Sequence, residues 1–247
     1  MKGKRIKFLN TYIDNITKVE AVGEVERLIN EEGYHYVVTP NADHIVRLET
    51  DTEFKAIYDK ADLILADGIS LIWIGKWLKT PIIEKVSGSD LLPMLCRHAA
   101  QKGYSVFFLG AADGVALRAA ENLKEKYNNL KVVGTYSPFF GFEKDQEEVD
   151  NIVNMITSAK PDILFVGLGA PKQEKFIYSN LDKLKVPVSI GIGASIDFEA
   201  GNKKRAPKWI SESGFEWLYR FVKEPKRLFK RVFIDDIKIF KVYLKYR

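Results

Sequence analysis

Several carboxylates, short polar residues and glycines in this sequence stand where an apolar run ends. Asp67 closes the run Leu63-Ile64-Leu65-Ala66 and precedes Gly68. A sharp turn there aims its carboxylate outward from a rigid strand end, and apolar neighbours raise a carboxylate's pKa toward what a general base needs. The alternative is turn chemistry, with Asp67 capping the helix that follows. Thr39, Asn41 and Asp43 crowd a second strand end, where Pro40 lacks a backbone donor and keeps Thr39 extended. Short polar side chains on a stiff loop suit sugar hydroxyls or an amide. For Asn41, the alternative is capping of a helix from Ala42.

Glycines mark further strand ends, at Gly110-Ala111-Ala112-Asp113-Gly114, Gly167-Leu168-Gly169 and Gly191-Ile192-Gly193. The last two let backbone N–H groups approach a diphosphate, or they serve only as tight turns. Neither completes a dinucleotide fingerprint, because Lys172 and Ile196 stand at the sixth positions, and no Walker A sequence occurs. Pro171 fits the first position of a helix, which places Gln173 and Glu174 in its first turn, to bond a ligand or to face solvent. There is no Asp-x-Asp, no Gly-x-Ser-x-Gly, and the three His fit no metal spacing. The lone Cys96, beside Arg97 and His98 in a helical pattern, reads as packed rather than nucleophilic, and excludes a disulfide scaffold. No metal and no cofactor are therefore expected. A departing diphosphate would have to be neutralised by Arg or Lys.

The elements that position these residues alternate regularly. Strands are predicted at Arg5–Leu9, His35–Thr39, Leu63–Ala66, Ser105–Leu109, Lys131–Thr135, Ile163–Gly167 and Val188–Ile192. Helical patterns run near Lys18–Glu31, Ala42–Lys60, Ser70–Leu78, Asp90–Lys102, Asp113–Tyr127, Gln146–Ala159 and Lys172–Leu181. Such alternation implies crossover connections, hence an α/β, Rossmann-like body with a mainly parallel sheet covered by helices on both faces. Ligands of such sheets bind beyond the carboxyl ends of the strands, where the polar and Gly-rich segments fall.

The 247 residues carry a formal charge of +5, unevenly spread. Residues 203–247 hold 14 Lys and Arg against five acidic residues, whereas residues 1–202 hold 24 against 28. A body of −4 is thus followed by a tail of +9 that holds 10 of the 30 aromatics. The composition divides the chain into a body, 1–202, and a helical appendage, 203–247. On a helical wheel from Pro225, with Arg227 at 0° and about 100° per residue, Arg231, Lys238, Lys241 and Lys245 gather on a narrow basic stripe. Phe229, Phe233, Ile237, Phe240 and Leu244 form one apolar arc at about 200–280°, and Leu228, Val232, Ile239, Tyr243 and Tyr246 a second at about 100–160°. This helix fits an anionic membrane surface, with Arg231, Lys238, Phe233 and Phe240 as contacts, or it docks an apolar face on the body. No run reaches the length of a spanning helix, and Met1–Leu9 is too short for a signal peptide. The expectation is a cytoplasmic protein held on the inner face of a membrane. Nucleic-acid binding is the competing reading of a basic tail, but the aromatics gather apart from the basic residues instead of interleaving with them.

Nine segments, in order, give the chain a resemblance. They are Ile13-Asp14-Asn15-Ile16-Thr17, Thr39-Pro40-Asn41-Ala42-Asp43, Ala66-Asp67-Gly68, Val86-Ser87-Gly88-Ser89-Asp90, Phe108-Leu109-Gly110-Ala111, Gly167 through Glu174, Gly191-Ile192-Gly193-Ala194, Ala200-Gly201 to Arg205-Ala206-Pro207, and Glu216-Trp217 through Arg220 to Glu224-Pro225. Over essentially its full length the chain resembles the WecG/TagA/CpsF family of bacterial glycosyltransferases. It departs at Lys85, where Arg is expected, and at Ser70, where Gly is common. Lys85 keeps the charge and loses bidentate geometry.

The resemblance implies a fold distinct from the GT-A and GT-B types, metal independence and inversion at the anomeric carbon. It implies transfer of N-acetylmannosamine (ManNAc) from UDP-ManNAc to the 4-hydroxyl of GlcNAc on undecaprenyl diphosphate, the linkage unit of wall teichoic acid. It also implies a base at Asp67, substrate contacts at Thr39, Asn41 and Gln173, nucleotide contacts near Asp197, and site completion by Arg220 and Arg227. Lys85 joins the candidate substrate contacts by its charge, and Gly110 and Gly169 join the candidate nucleotide contacts by their strand-end turns. The alternatives are a same-family transferase with another donor, such as UDP-ManNAcA, and a nucleotide-binding adaptor without turnover. An apolar tail face could also join two copies, so a homo-oligomer stays open.

Overall fold

A computed structural model describes residues 4–203 and 236–247. Its centre is a six-stranded sheet in the order β4-β3-β8-β7-β5-β6, formed by β3 (His35–Val38), β4 (Leu63–Ile64), β5 (Ser105–Gly110), β6 (Lys131–Tyr136), β7 (Ile163–Gly167) and β8 (Val188–Gly191). Every pairing within it is parallel. The chain builds the β3–β4 edge, crosses to the far side for β5 and β6, and returns through β7 to place β8 against β3. The carboxyl ends of β3, β8 and β7 are therefore neighbours at the middle of the sheet, although they lie far apart in sequence.

Alternation along the strands sorts the core into two layers. Val37, Phe108, Phe165 and Ile190 face one side, with Ala21, Val25 and Leu28 of α1 (Lys18–Ile29), Leu92 and Cys96 of α5 (Gly88–Lys102), and Ala119 and Leu123 of α6 (Val115–Lys126). Tyr36, Val38, Phe107, Leu164 and Val166 face the other. That side is covered by α2 (Ala42–Arg47), α3 (Thr52–Asp59), α4 (Ile69–Trp77), α7 (Gln146–Ala159) and α8 (Lys172–Leu184). Burial on both faces is why the strands read as continuous apolar runs.

Several elements differ from the sequence expectation. Of the predicted strand Leu63–Ala66 only Leu63–Ile64 pairs as β4, so Asp67 stands three residues past the strand, held by loop hydrogen bonds. The pattern Ala42–Lys60 is two helices, because the Asp51 carboxylate accepts from Phe54 N at 2.9 Å and opens a new N-terminus. A strand not anticipated, β2 (Thr11–Asn15), pairs antiparallel with β1 (Lys4–Phe8) as a separate two-stranded sheet. Asp14 on β2 ties this hairpin to the edge of the main sheet, accepting from Arg5 Nε at 2.9 Å and from the backbone N of Ile64 at 2.8 Å. It thereby occupies a donor of the short edge strand β4. A short α9 (Ser195–Glu199) also follows β8.

In the appendage, α10 (Asp236–Tyr246) packs on the body. Ile239 and Val242 are buried, Tyr243 meets Trp77 edge-on at 5.9 Å, and Lys245 Nζ lies 2.7 Å from the Glu49 carboxylate. The described part thus divides its two apolar arcs. The arc of Ile239 and Tyr243 docks, while Phe240 and Leu244 of the other stay exposed beside the lysines.

Candidate active site

The polar segments singled out in the sequence come together above the ends of β4, β3, β8 and β7. Thr39 continues β3 by one residue, is buried, and donates from Oγ1 to Gly191 O at 3.2 Å, extending the β3–β8 junction beyond its last backbone pair. Its donor faces the neighbouring strand. Asn41 is the N-cap of α2, its Oδ1 accepting from the backbone N of Asp43 (3.0 Å) and of His44 (3.3 Å). The capping alternative therefore holds for that oxygen. The amide nitrogen makes no hydrogen bond among the described residues and stays a donor at the strand end.

Asp67 is held against this loop by its backbone, with N–H donating to Pro40 O at 2.8 Å. The helix after it, α4, is capped at Gly68, whose φ of +141° suits only glycine and which has no side chain to cap with. The capping alternative for Asp67 is thus not realised. Its half-buried carboxylate lies within electrostatic reach of the Tyr58 hydroxyl, and the next residue, Gly68, approaches Asn41, whose Cβ would lie 3.9 Å from a Cβ placed there. Lys85 precedes the loop that Val86 N fastens to Ala66 O at 2.8 Å, adjacent to Asp67. Mostly buried, its Nζ lies 4.0 Å from Asp90 Oδ2, and Lys18 approaches the same carboxylate at 3.7 Å. Ser87 caps α5 there, which begins two residues before the predicted Asp90.

The glycine turns are partly matters of close approach. A Cβ on Gly110 would come within 2.5 Å of Gly167 O, and one on Gly167 within 2.9 Å of Gly193 O. The ends of β5, β7 and β8 meet there backbone to backbone, so packing alone requires glycine at Gly110 and Gly167. Gly169 differs: a Cβ there would meet open space, and its φ is +77°. Asp197 on α9 is half-buried, with Lys203 Nζ at 3.5 Å.

Two expectations about α8 need correction. Pro171 is its N-cap residue and Lys172 the first helical one, and the peptide before Pro171 is cis. Gln173 and Glu174 do not face solvent: they are 2% and 0% exposed. Gln173 Oε1 accepts from Gly193 N at 3.0 Å, and its Nε2 donates to Glu174 Oε1 at 2.7 Å. Burial pushes the Glu174 carboxyl up to about 7, although the Gln173 amide, its own backbone N–H and the charge of Arg47 all oppose the rise. Nearby, His44 Nδ1 lies 2.6 Å from the buried Tyr58 hydroxyl. Burial also raises the Tyr58 hydroxyl, with Glu174 and then Asp67 adding to it. The legible signal for this layer was periodicity, since Gln173, Ile177 and Asn180 share one stripe of α8 with Phe176 and Leu184.

Cys96 is fully buried and burial raises its thiol, as a packed cysteine requires. Arg220, Arg227, Arg231 and Phe233 lie outside the described residues. Lys238 and Phe240 are exposed on α10, with Phe240 stacked on Trp77 at 6.0 Å between ring centres. Trp73 and Trp77 of α4 are themselves exposed. No helix is long and apolar enough to cross a membrane among the described residues.

The model of the glycosyl transferase WecG/TagA/CpsF family matches residues 6–247. A Bacillus spizizenii protein named N-acetylglucosaminyldiphosphoundecaprenol N-acetyl-beta-D-mannosaminyltransferase is 33% identical over 227 residues, which cover 92% of this chain and 86% of that protein. A Staphylococcus aureus protein of the same name is 28% identical over 226 residues, covering 91% and 87%.

Proposed function

The chain belongs to the glycosyl transferase WecG/TagA/CpsF family, and from that premise we propose that its strand-end crevice moves ManNAc from UDP-ManNAc to the 4-hydroxyl of GlcNAc carried on undecaprenyl diphosphate. The acceptor and the transferred sugar follow the names of the relatives, and the nucleotide follows from the reaction. The observation that carries the chemistry is Asp67. It is a half-buried carboxylate three residues past β4, relieved of capping duty by Gly68, with its backbone tied to Pro40 in the loop that carries Asn41 and its neighbour Ala66 tied to Val86 in the loop that follows Lys85.

In the proposed step the Asp67 carboxylate takes the proton of the acceptor hydroxyl as its oxygen bonds to the anomeric carbon from the face opposite the nucleotide. The bond from that carbon to the phosphate oxygen breaks, its electron pair leaves with UDP, and the configuration inverts. Cationic side chains neutralise the departing diphosphate. Lys85 is proposed for part of this work, and Arg220 and Arg227 for the rest. Asn41, Thr39 and Gln173 shape the sugar pocket. Gly110, Gly169 and Asp197 line the nucleotide side. No metal enters the proposal.

Attachment to the inner face of a membrane is part of the same reading, because the acceptor is lipid-linked. Exposed Phe240 and Leu244, with Phe240 stacked on exposed Trp77 and with exposed Trp73, Lys76, Lys238 and Lys241 on the same two helices, support an interfacial helix pair that lies on anionic lipid. The test of the chemistry is Asp67→Asn, which should abolish most turnover while UDP still binds. Turnover near that of the unsubstituted chain would remove Asp67 from the role.

A further inference from the structure

Three hydrogen bonds join three strand ends beneath the crevice. Thr39 Oγ1 donates to Gly191 O, Gly193 N donates to Gln173 Oε1, and Gln173 Nε2 donates to Glu174 Oε1. A primary amide has one accepting and one donating end, so its two neighbours decide which way Gln173 faces. The Gly193 N–H demands the oxygen, and the carboxylate demands the nitrogen. The side chain has no slack, since a Cβ on Gly191 would lie 2.8 Å from its Nε2.

Glu174 is an expensive residue to keep there. It is 0% exposed, and its Oε2 has no hydrogen-bond partner among the described residues. Arg47, whose charge reaches it, leaves its own buried Nε equally without a partner, so the two do not close into an ion pair. A carboxyl shut away from water with one oxygen unused lowers stability relative to an apolar side chain of the same shape. Its one side-chain hydrogen bond goes to Gln173.

We propose that Glu174 is a positioning residue for the transfer reaction: by accepting from Gln173 Nε2 it fixes the amide so that Oε1 holds the Gly191–Gly193 turn, and with it Asp197, in the geometry that receives the nucleotide sugar. The inference rests on the reading of the crevice as a UDP-sugar transferase site. It assigns Glu174 no contact with substrate and no proton transfer.

The test compares Glu174→Met and Glu174→Gln with the unsubstituted full chain, measuring the melting temperature at pH 8 together with kcat and KM for UDP-ManNAc on a lipid-linked GlcNAc acceptor. Glu174→Met, which cannot accept from Gln173, should keep or raise the melting temperature while kcat/KM for the donor falls at least tenfold and KM for the acceptor stays put. Glu174→Gln retains an accepting oxygen and should lose less. The exchange Gln173→Glu with Glu174→Gln keeps both hydrogen bonds and reverses only which residue donates between the pair. It should recover at least threefold over Gln173→Glu alone, and it decides the matter if Glu174→Met fails to fold. Glu174→Met within twofold of the unsubstituted chain, or an exchange with no recovery, overturns the role of Glu174 alone. So does activity that falls only in step with the melting temperature in both single variants. An unsubstituted chain that never turns over refutes the transferase reading, and the role with it.

Discussion

The buried carboxyl of Glu174 makes stability depend on pH in a direction opposite to that of most acids. Its folded-state pKa is raised from 4.5 to about 7, chiefly by burial. The folded chain therefore holds this proton over a range in which the unfolded chain has released it. Stability from this group is full below about pH 4.5, declines as pH rises, and reaches its floor above the folded pKa. The whole excursion is about 3 kcal/mol at 1.36 kcal/mol per pKa unit, of which about 2 kcal/mol falls between pH 5.5 and pH 8. Glu174→Gln removes the titration and leaves the volume almost unchanged. Urea unfolding of both proteins at pH 5.5 and pH 8 isolates the effect, because every other titrating group is common to them and cancels in the difference. The variant should gain about 2 kcal/mol on the unsubstituted chain as pH rises from 5.5 to 8. A gap that stays constant with pH, or that widens toward acid, would refute the assignment of a raised pKa to Glu174.

Three further outcomes follow from the site. Asn41 should separate into two roles: Asn41→Asp preserves the cap of α2 and leaves stability nearly unchanged while kcat/KM falls, whereas Asn41→Ala also costs about 1 kcal/mol. Equal activity of Asn41→Asp and the unsubstituted chain would restrict Asn41 to capping. Phe240→Glu combined with Leu244→Glu should reduce co-sedimentation with phosphatidylglycerol vesicles at only a small cost in melting temperature, because both side chains are exposed and only the stacking of Phe240 on Trp77 is lost; unchanged sedimentation would move the lipid surface elsewhere. Turnover should survive excess EDTA, and a strict requirement for Mn²⁺ or Mg²⁺ would overturn neutralisation of UDP by cationic side chains alone.

Much of this arrangement could be read from residues. Strands buried on both faces announce themselves as apolar runs, and the polar residue that ends each one marks the crevice; Asp67, Thr39 and the glycine turns were found that way. Helix boundaries near Gln146–Ala159 coincide with prediction because Asp145 caps one end and the chain turns left-handed at Lys160 at the other. The pattern Ala42–Lys60 misled because its hydrophobic spacing continues through Asp51, while a single side-chain cap is enough to break the helix. The strand β2 was hidden because its pairing partner is a neighbouring short strand and its anchor, Asp14 to Ile64, is a contact across the fold. Glu174 was least legible. Nothing local distinguishes a glutamate that faces water from one enclosed near residues as distant in sequence as Arg47 and Tyr58, and only the β8–β7 adjacency brings Gly193 to Gln173.

The central claim is that Asp67 serves as the base in transfer of ManNAc to a lipid-linked GlcNAc. The most direct measurement is UDP release from UDP-ManNAc with GlcNAc-diphosphoundecaprenol, comparing the unsubstituted full chain with Asp67→Asn and titrating UDP binding in both. The account predicts robust turnover by the unsubstituted chain, a loss of about 10² to 10⁴-fold in Asp67→Asn, and UDP affinity that is the same in both. Turnover by Asp67→Asn within a few-fold of the unsubstituted chain, or no turnover by either, would contradict it.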